Sequence, residues 1–380
     1  MSRLDRFLLS EGFIVKSGIS GQWIGNRDIS DHCPISLICS NTDWGPKPFK
    51  FNNCWIDHPD FRNYVSLYWR NLKVTGKKAF IIKEKLKQLK EGLKIWNREV
   101  FGLIDLNIEN TVTELNALED VIASGGTVSN VCNLKEINQK FWNQINRKES
   151  LLKQKSRVKW VQEGDSNSRF FHANIKGRRR RNQLGVLKKG QEWIQGVESI
   201  KKEVKDHFAN FFSEEWDNRP FLNGISFNSI SAADNAILTE PFTEEEVKEI
   251  IWSCDGNKSP GPDGFNFNFL KSCWSIVKPE VMNFVEEFFV TAILPKAITS
   301  SFLTLIPKKD HPESLSDYRP ICLIGCLYKI LSKLLANRLK RVLGKLISPC
   351  QSAFLPSRQI LDGVVVLNEI IDLAKRRKDR

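Results

Sequence analysis

Two cations flanking a short polar loop are the first residues whose types and spacing could do chemistry. Residues 302–323 read FLTLIPKKDHPESLSDYRPICL. The apolar run 302–306 stops at Pro307, Lys308 and Lys309 follow, and a polar stretch leads through Asp317, Tyr318, Arg319 and Pro320 to a second apolar run from Ile321. This pattern predicts two short strands joined by a polar loop, with Lys308 and Arg319 at the ends of neighbouring strands. A guanidinium grips phosphate oxygens bidentately and an ammonium acts as a point charge, so the pair suits a polyphosphate. The same residues also fit an exposed hairpin with ordinary surface charges.

Four other groups hold side chains of this kind. Residues 257–265 read NKSPGPDGF. Proline and glycine there fix a backbone shape, and glycine lets a phosphate or base approach closely. Lys258 and Asp263 are the candidates for contact with a template or with neighbouring residues. The loop lacks the GxxxxGK[ST] order of a P-loop. Arg178, Arg179, Arg180 and Arg181 run consecutively just before a predicted hairpin, residues 184–187 and 192–194. They either grip template backbone or form a solvated face, and such a run can also pass for a nuclear-import signal. Residues 351–362, QSAFLPSRQILD, contain Gln351, Phe354 and Arg358. Near the N-terminus stand Asp5, Asp31 and His32. A histidine working at a phosphate needs a carboxylate to fix its tautomer and raise its basicity.

The elements that must position these groups are mostly helices. Ile82, Leu86, Leu89, Leu93, Trp96, Val100 and Leu103 recur at spacings of four and three, which is a coiled-coil-type seam. Leu115, Leu118 and Ile122 extend it toward a turn at residues 124–127, and Leu134, Ile137, Phe141 and Ile145 line a returning helix. Lys83, Lys85, Lys87 and Lys90 are expected on the outer face. Thr243 and Glu246 form a capping box with Phe242 as a staple onto Val247. Helices are predicted over 265–293, with Pro279 starting a second segment, over 326–347, and over 360–375. Residues 3–10 and 29–37 read as strands, residues 41–76 as an aromatic-rich linker and residues 213–240 as a loop. The aromatics of the linker fit docking onto a neighbour or stacking on bases.

Composition narrows the partners. The net charge is +13 over 380 residues, an excess that favours polyanions, nucleic acid first. Nine cysteines and five histidines form no Cys-x-x-Cys pair and complete no zinc pattern, so neither a metal centre nor a disulfide framework is expected, and a reduced intracellular setting fits. No run approaches the length of a membrane span, and no membrane partner is expected.

Four blocks, residues 257–265, 303–308, 317–323 and 351–362, occur in the order found in the reverse transcriptases of non-LTR (LINE-type) retrotransposons, and the chain resembles plant members of that family. Residues 1–40 are similar to the last two motifs of the endonuclease/exonuclease/phosphatase family, in which His32 would face the scissile phosphate, Asp5 would orient it and Asp31 would line the pocket. The resemblance implies an α+β, predominantly helical fold: a nuclease remnant at 1–40, a linker at 41–76, a long antiparallel helical hairpin at 77–156, an extension with a basic hairpin at 157–240, and an incomplete polymerase fingers region at 241–380. It implies that Lys308 and Arg319 bind nucleotide phosphates, and that Gln351, Phe354 and Arg358 lie near template. The complete family enzyme uses Mg²⁺ held by aspartates in two later blocks. Neither block is present and no Asp-Asp pair occurs. The expectation is a fragment without palm or thumb, holding no cofactor, inactive alone and binding RNA or DNA weakly and salt-sensitively. A nucleic-acid-binding module derived from a retroelement and a metal-dependent endonuclease remnant are the alternatives.

Overall fold

The structure is a computed structural model that describes residues 7–10, 13, 19–24, 35–39, 43–125, 128–157, 168–182, 184–214, 223–310, 312–348, 350–355 and 357–377. In chain order the first elements are β1 (Ile19–Ile24), β2 (Ile35–Cys39), α1 (Phe61–Asn71), α2 (Lys78–Trp96), α3 (Ile104–Ala123), α4 (Val128–Ser156) and α5 (Ser168–Arg181). Next come β3 (Val186–Lys189), β4 (Glu192–Gln195), α6 (Val197–Phe211), α7 (Ala232–Thr239), α8 (Glu244–Ser253), α9 (Phe267–Ser272), α10 (Trp274–Thr291) and α11 (Lys296–Thr299). The last are β5 (Ser301–Pro307), β6 (Tyr318–Ile324), α12 (Cys326–Leu346) and α13 (Ile360–Arg377). The fold is α+β and predominantly helical, with strands paired only two by two among the described residues, β1 with β2, β3 with β4 and β5 with β6. The chain divides into two compact units.

The first unit comprises Met1–Tyr64, Leu89–Glu215 and Ser301–Leu323. Its aromatic core is built from the segment the patterning reads as a linker. Phe51, Trp55 and Phe61 are buried with Trp96; Trp55 meets Phe51 edge-on at 5.2 Å and Trp96 at 6.2 Å. Such offset pairs add to the burial of large apolar area. Gln154 of α4 clamps the same segment: its Nε2 donates to the Phe51 carbonyl and its Oε1 accepts from the Asn53 N–H, both at 2.8 Å. The aromatics therefore dock.

α3 and α4 form the antiparallel arm. Lys140 pairs with Glu114 and Lys148 with Asp105, a register in which residue numbers rise on one helix as they fall on the other. The expected continuous helix from 82 to 122 is interrupted. A π turn at Asn97–Phe101 separates α2 from α3. The Arg98 carbonyl lies 2.8 Å from where a Cβ on Gly102 would sit, so the turn requires glycine there. At the N-terminus, β2 overlaps the expected strand 29–37 but pairs antiparallel with β1, Ile24 opposite Ile35. Of the expected strand 3–10, residues 7–10 are described; they lie in no strand, and Phe7 and Leu8 are 42% and 95% exposed, which corrects the reading for that part.

The second unit comprises Val65–Gln88, Trp216–Ser300 and Ile324–Arg380. The capping box starts α8 as predicted, with Thr243 Oγ1 accepting from the Glu246 N–H at 3.2 Å and Glu246 Oε2 accepting from the Thr243 N–H at 3.1 Å. Val247, Ile250 and Ile251 bury beside Leu327, Ile330, Leu331 and Leu334 of α12. Arg338 is 4% exposed; its guanidinium donates to both Glu246 oxygens and to the carbonyls of Leu238, Glu240 and Pro241, and lies over Phe242. Pro279 sits inside α10 instead of starting a helix. It lies on the exposed face one turn after exposed Ser275, where water can satisfy the carbonyl that proline leaves unbonded. The expected loop 213–240 contains α7, capped by Ser231, whose Oγ accepts from the Asp234 N–H at 3.1 Å. Lys85 is not on an outer face: it pairs with Glu280 and lies over Trp69. α13 forms as expected but buries none of its side chains.

Candidate nucleic-acid interface

In the first unit, β5 and β6 make the predicted hairpin. Just beyond the strands the Lys308 N–H donates to the Asp317 carbonyl at 2.8 Å. The exposed Lys308 ammonium donates to the Ser316 carbonyl at 2.7 Å. Arg319, at the start of β6, is exposed and has no hydrogen bond or ion pair among the described residues. The hairpin thus brings Lys308, Lys309 and Arg319 to one end of a two-stranded ribbon, with Arg319 as the cation left open to a ligand.

Asp317 organises that end, a role the sequence pattern does not reveal. Its Oδ2 accepts from the N–H groups of Glu313 at 2.9 Å and Ser314 at 3.1 Å, and its Oδ1 pairs with Lys309 at 3.1 Å. The Ser314 amide, with help from the Glu313 amide and Lys309, pulls the carboxyl down to about 2 against the opposing effect of burial. Beneath the loop, Leu315 and Tyr318 pack with Leu187 of β3 and Ile200 of α6, flanked by Leu184, Ile194, Val204 and Leu305. The Lys188 N–H donates to the Glu313 carbonyl at 2.8 Å. The basic hairpin β3–β4, whose turn lies at Gly190, is therefore the platform under the β5–β6 loop. Burial, with Asp317 adding, pushes the Tyr318 phenol up to about 12.

The four arginines occupy the last turns of α5. Arg178 is half-buried and its Nη1 donates to the Ser156 carbonyl at 3.0 Å, closing the end of α4. Arg181 is exposed. Arg179 and Arg180 are helical, and their side chains lie outside what is described.

In the second unit, Lys258 is exposed, 3.9 Å from Asp255. Asp263 turns inward: its Oδ2 accepts from the Cys326 N–H at 2.6 Å at the start of α12, its Oδ1 is buried without a partner, and burial raises its carboxyl above the ordinary value. This is the contact with a neighbouring residue that the sequence offered for it. Gly261 is needed because a Cβ there would stand 2.4 Å from the Ile324 carbonyl carbon. Arg358 is committed to backbone carbonyls, Nη1 to Ser348 at 2.6 Å and Gln351 at 2.8 Å, Nη2 to Ile347 at 3.2 Å. It holds the loop that presents Phe354, which is 93% exposed at φ 63°. Gln351 is exposed. Asp5, Asp31 and His32 lie outside the described residues. Among the described residues, no group of three or more His, Cys, Asp or Glu side chains is placed to hold a metal ion, and no helix is long and apolar enough to cross a membrane.

Comparison with known proteins gives this geometry a context. Residues 306–379 match the family described as reverse transcriptase (RNA-dependent DNA polymerase). The chain is similar to the transposon TX1 uncharacterized 149 kDa protein of Xenopus laevis, 26% identical over 392 residues that cover 99% of this chain and 29% of that protein. It is also similar to the retrovirus-related Pol polyprotein from type-1 retrotransposable element R1 of Bradysia coprophila, 29% identical over 29% of this chain and 11% of that protein. A third relative is the corresponding polyprotein from element R2 of Popillia japonica, 28% identical over 37% of this chain and 18% of that protein. The chain thus spans less than a third of the length of each relative. Residues 306–379, which include the Lys308–Arg319 end of the hairpin, are thus reverse-transcriptase-like, and the chain as a whole is similar to retrotransposon proteins.

Proposed function

We propose that this chain holds RNA or DNA through backbone phosphates, weakly and with strong salt dependence, as part of a reverse transcriptase, and that it does not extend a primer by itself. The observation that carries this reading is Arg319, exposed and without a hydrogen bond or ion pair among the described residues, beside Lys308 and Lys309 within the family-matching segment. A guanidinium so placed has both donor edges available to a phosphate. The nucleotide-phosphate role of Lys308 and Arg319 and the template-facing role of Lys258, Gln351 and Phe354 belong to the same proposal, supported by the exposure of Arg319, Lys258 and Phe354. The family chemistry needs carboxylates converging on Mg²⁺. The described carboxylates do not fit that need: Asp317 is taken by backbone amides and Lys309, and Asp263 by the start of α12. The plant-type affiliation and the nuclease remnant at 1–40 rest on the block order and on Asp5, Asp31 and His32.

Arg319→Gln tests the reading. It should weaken binding to a labelled single-stranded RNA by about five- to tenfold, the range for one charged hydrogen-bonded contact in a partly screened site. Unchanged affinity would remove Arg319 from the interface. Primer extension with Mg²⁺ and all four nucleotides should give no templated product, and any such product would overturn the claim of inactivity.

A further inference from the structure

The C-terminal end of α6, in the first unit, carries two aromatic rings that the core does not use. Ile200 and Val204, on the inner face of the helix, pack beneath the β5–β6 loop with Leu315 and Tyr318. Phe208, one turn on, is still buried. Phe211 and Phe212 then run past the core and are 68% and 64% exposed. Their rings are nevertheless held. Phe212 is stacked on Phe208 at 6.2 Å and 25°, and Phe211 meets Phe212 edge-to-face at 5.1 Å and 85°. The backbone beneath them is closed: the Phe212 N–H donates to the Phe208 carbonyl at 3.0 Å and the Ser213 N–H to the Asn210 carbonyl at 3.2 Å. Rings fixed in this way offer π faces to water with little rotamer freedom left to lose on binding.

The charges around them are chiefly positive. Lys201, Lys205, Phe208 and Phe212 stand at i, i+4, i+7 and i+11, one stripe of the helix. Lys205 is exposed and has no hydrogen bond or ion pair among the described residues, and exposed Lys201 pairs with Glu198 at 3.0 Å. Glu203 lies away from this stripe, paired with Lys189 at 2.7 Å. Size then decides between partners. Two rings are far short of the roughly 800 Å² a side that a stable protein interface buries, but they match the faces of one or two bases. From Val204, under the loop that carries Arg319, to Phe211 is about 10 Å of helix at about 1.5 Å per residue, a span of about three nucleotides at about 3.4 Å each.

We propose that Phe211 and Phe212 form a stacking platform for the bases of a single-stranded nucleic acid, with Lys205 on its backbone. That the ligand is nucleic acid rests on the proposed function; that bases are held, and not phosphates alone, rests on the rings. Every base has a π face, so such a platform adds affinity without choosing a sequence.

The test pairs loss of the rings with loss of the bases, on the full chain. The probes are a short oligouridylate and the same ribose-phosphate strand without bases. The variant is Phe211→Leu with Phe212→Leu, which keeps apolar bulk at two exposed positions and removes both π faces; Phe212→Tyr keeps a ring. Wild type should bind the oligouridylate about fivefold or more tighter than the abasic strand. The leucine variant should bind both strands alike, and the tyrosine variant should keep the preference. The slope of log affinity against log salt should be the same in all three proteins, because a stacked base neutralises no phosphate. A leucine variant that still prefers the strand with bases overturns the platform while leaving the phosphate grip in place. A leucine variant that also loses the abasic strand, with a shallower salt slope, overturns it too, since the rings would then act by positioning cations. Failure of wild type to bind either strand sinks the proposed function itself.

Discussion

Removal of the Asp317 carboxylate should loosen the end of the β5–β6 hairpin by an amount that its proton affinity bounds. Its pKa falls from the ordinary 3.8 to about 2, a ceiling of roughly 2.4 kcal/mol at about 1.36 kcal/mol per pKa unit. The group is close to water, so screening reduces the expected contribution to about 1–1.5 kcal/mol. The sign follows from the depressed value: the stabilisation is complete above the unfolded-state pKa of about 4 and is lost as pH falls through about 2. The sensitive reporter is hydrogen exchange at the Lys308 amide, which donates to the Asp317 carbonyl. In Asp317→Ala that amide should exchange about tenfold faster at pH 7. In Asp317→Asn, which keeps one acceptor for the Glu313 and Ser314 amides, the rate should fall between the two. The gap between wild type and the alanine variant should close as the pH is lowered through the window from about 4 to about 2. Equal exchange at pH 7, or a gap undiminished below pH 2, would refute the reasoning.

Three further outcomes follow from packing. Gly261→Ala places a Cβ against the backbone of Ile324 and Gly325 and should cost about 3 kcal/mol or more, whereas Gly344→Ala, in α12 with nothing within 4 Å, should stabilise by about 0.5–1 kcal/mol; thermal melts compare them. Arg338→Met leaves Glu246 and buried carbonyls without their donor and should destabilise by about 3 kcal/mol in urea. α13 exposes Leu361, Val365, Leu367 and Ile370, each more than half exposed, an apolar surface that favours association. Sedimentation velocity should show concentration-dependent association, reduced by Leu367→Glu with Ile370→Glu.

Local chemistry made part of this molecule legible. Thr243 and Glu246 are three residues apart and satisfy each other's backbone donors, so the start of α8 follows from two side chains. The two apolar runs on either side of the polar loop that carries Lys308 and Arg319 likewise implied a hairpin. What sequence spacing did not reveal was pairing across distance. Gln154 turns a proline-marked linker into a docked aromatic core, and Glu280 draws Lys85 inward. A heptad-like seam continued across residues 97–103 because its spacing is preserved there, although Gly102 permits a π turn that breaks the helix. Pro279 suggested a boundary, yet an exposed face tolerates it within α10. At the interface, residue types pointed to Arg358 as lying near template and to Asp263 as a contact for template or for neighbouring residues; the geometry adds that they anchor a loop and a helix start.

The most direct test is the affinity of the intact chain for single-stranded RNA measured from 50 to 200 mM salt. A grip made through phosphates predicts measurable binding at the low end that weakens steeply and log-linearly, with a slope of about 0.7 per phosphate engaged. Binding that is absent at 50 mM salt, or that holds level to 200 mM, would contradict it.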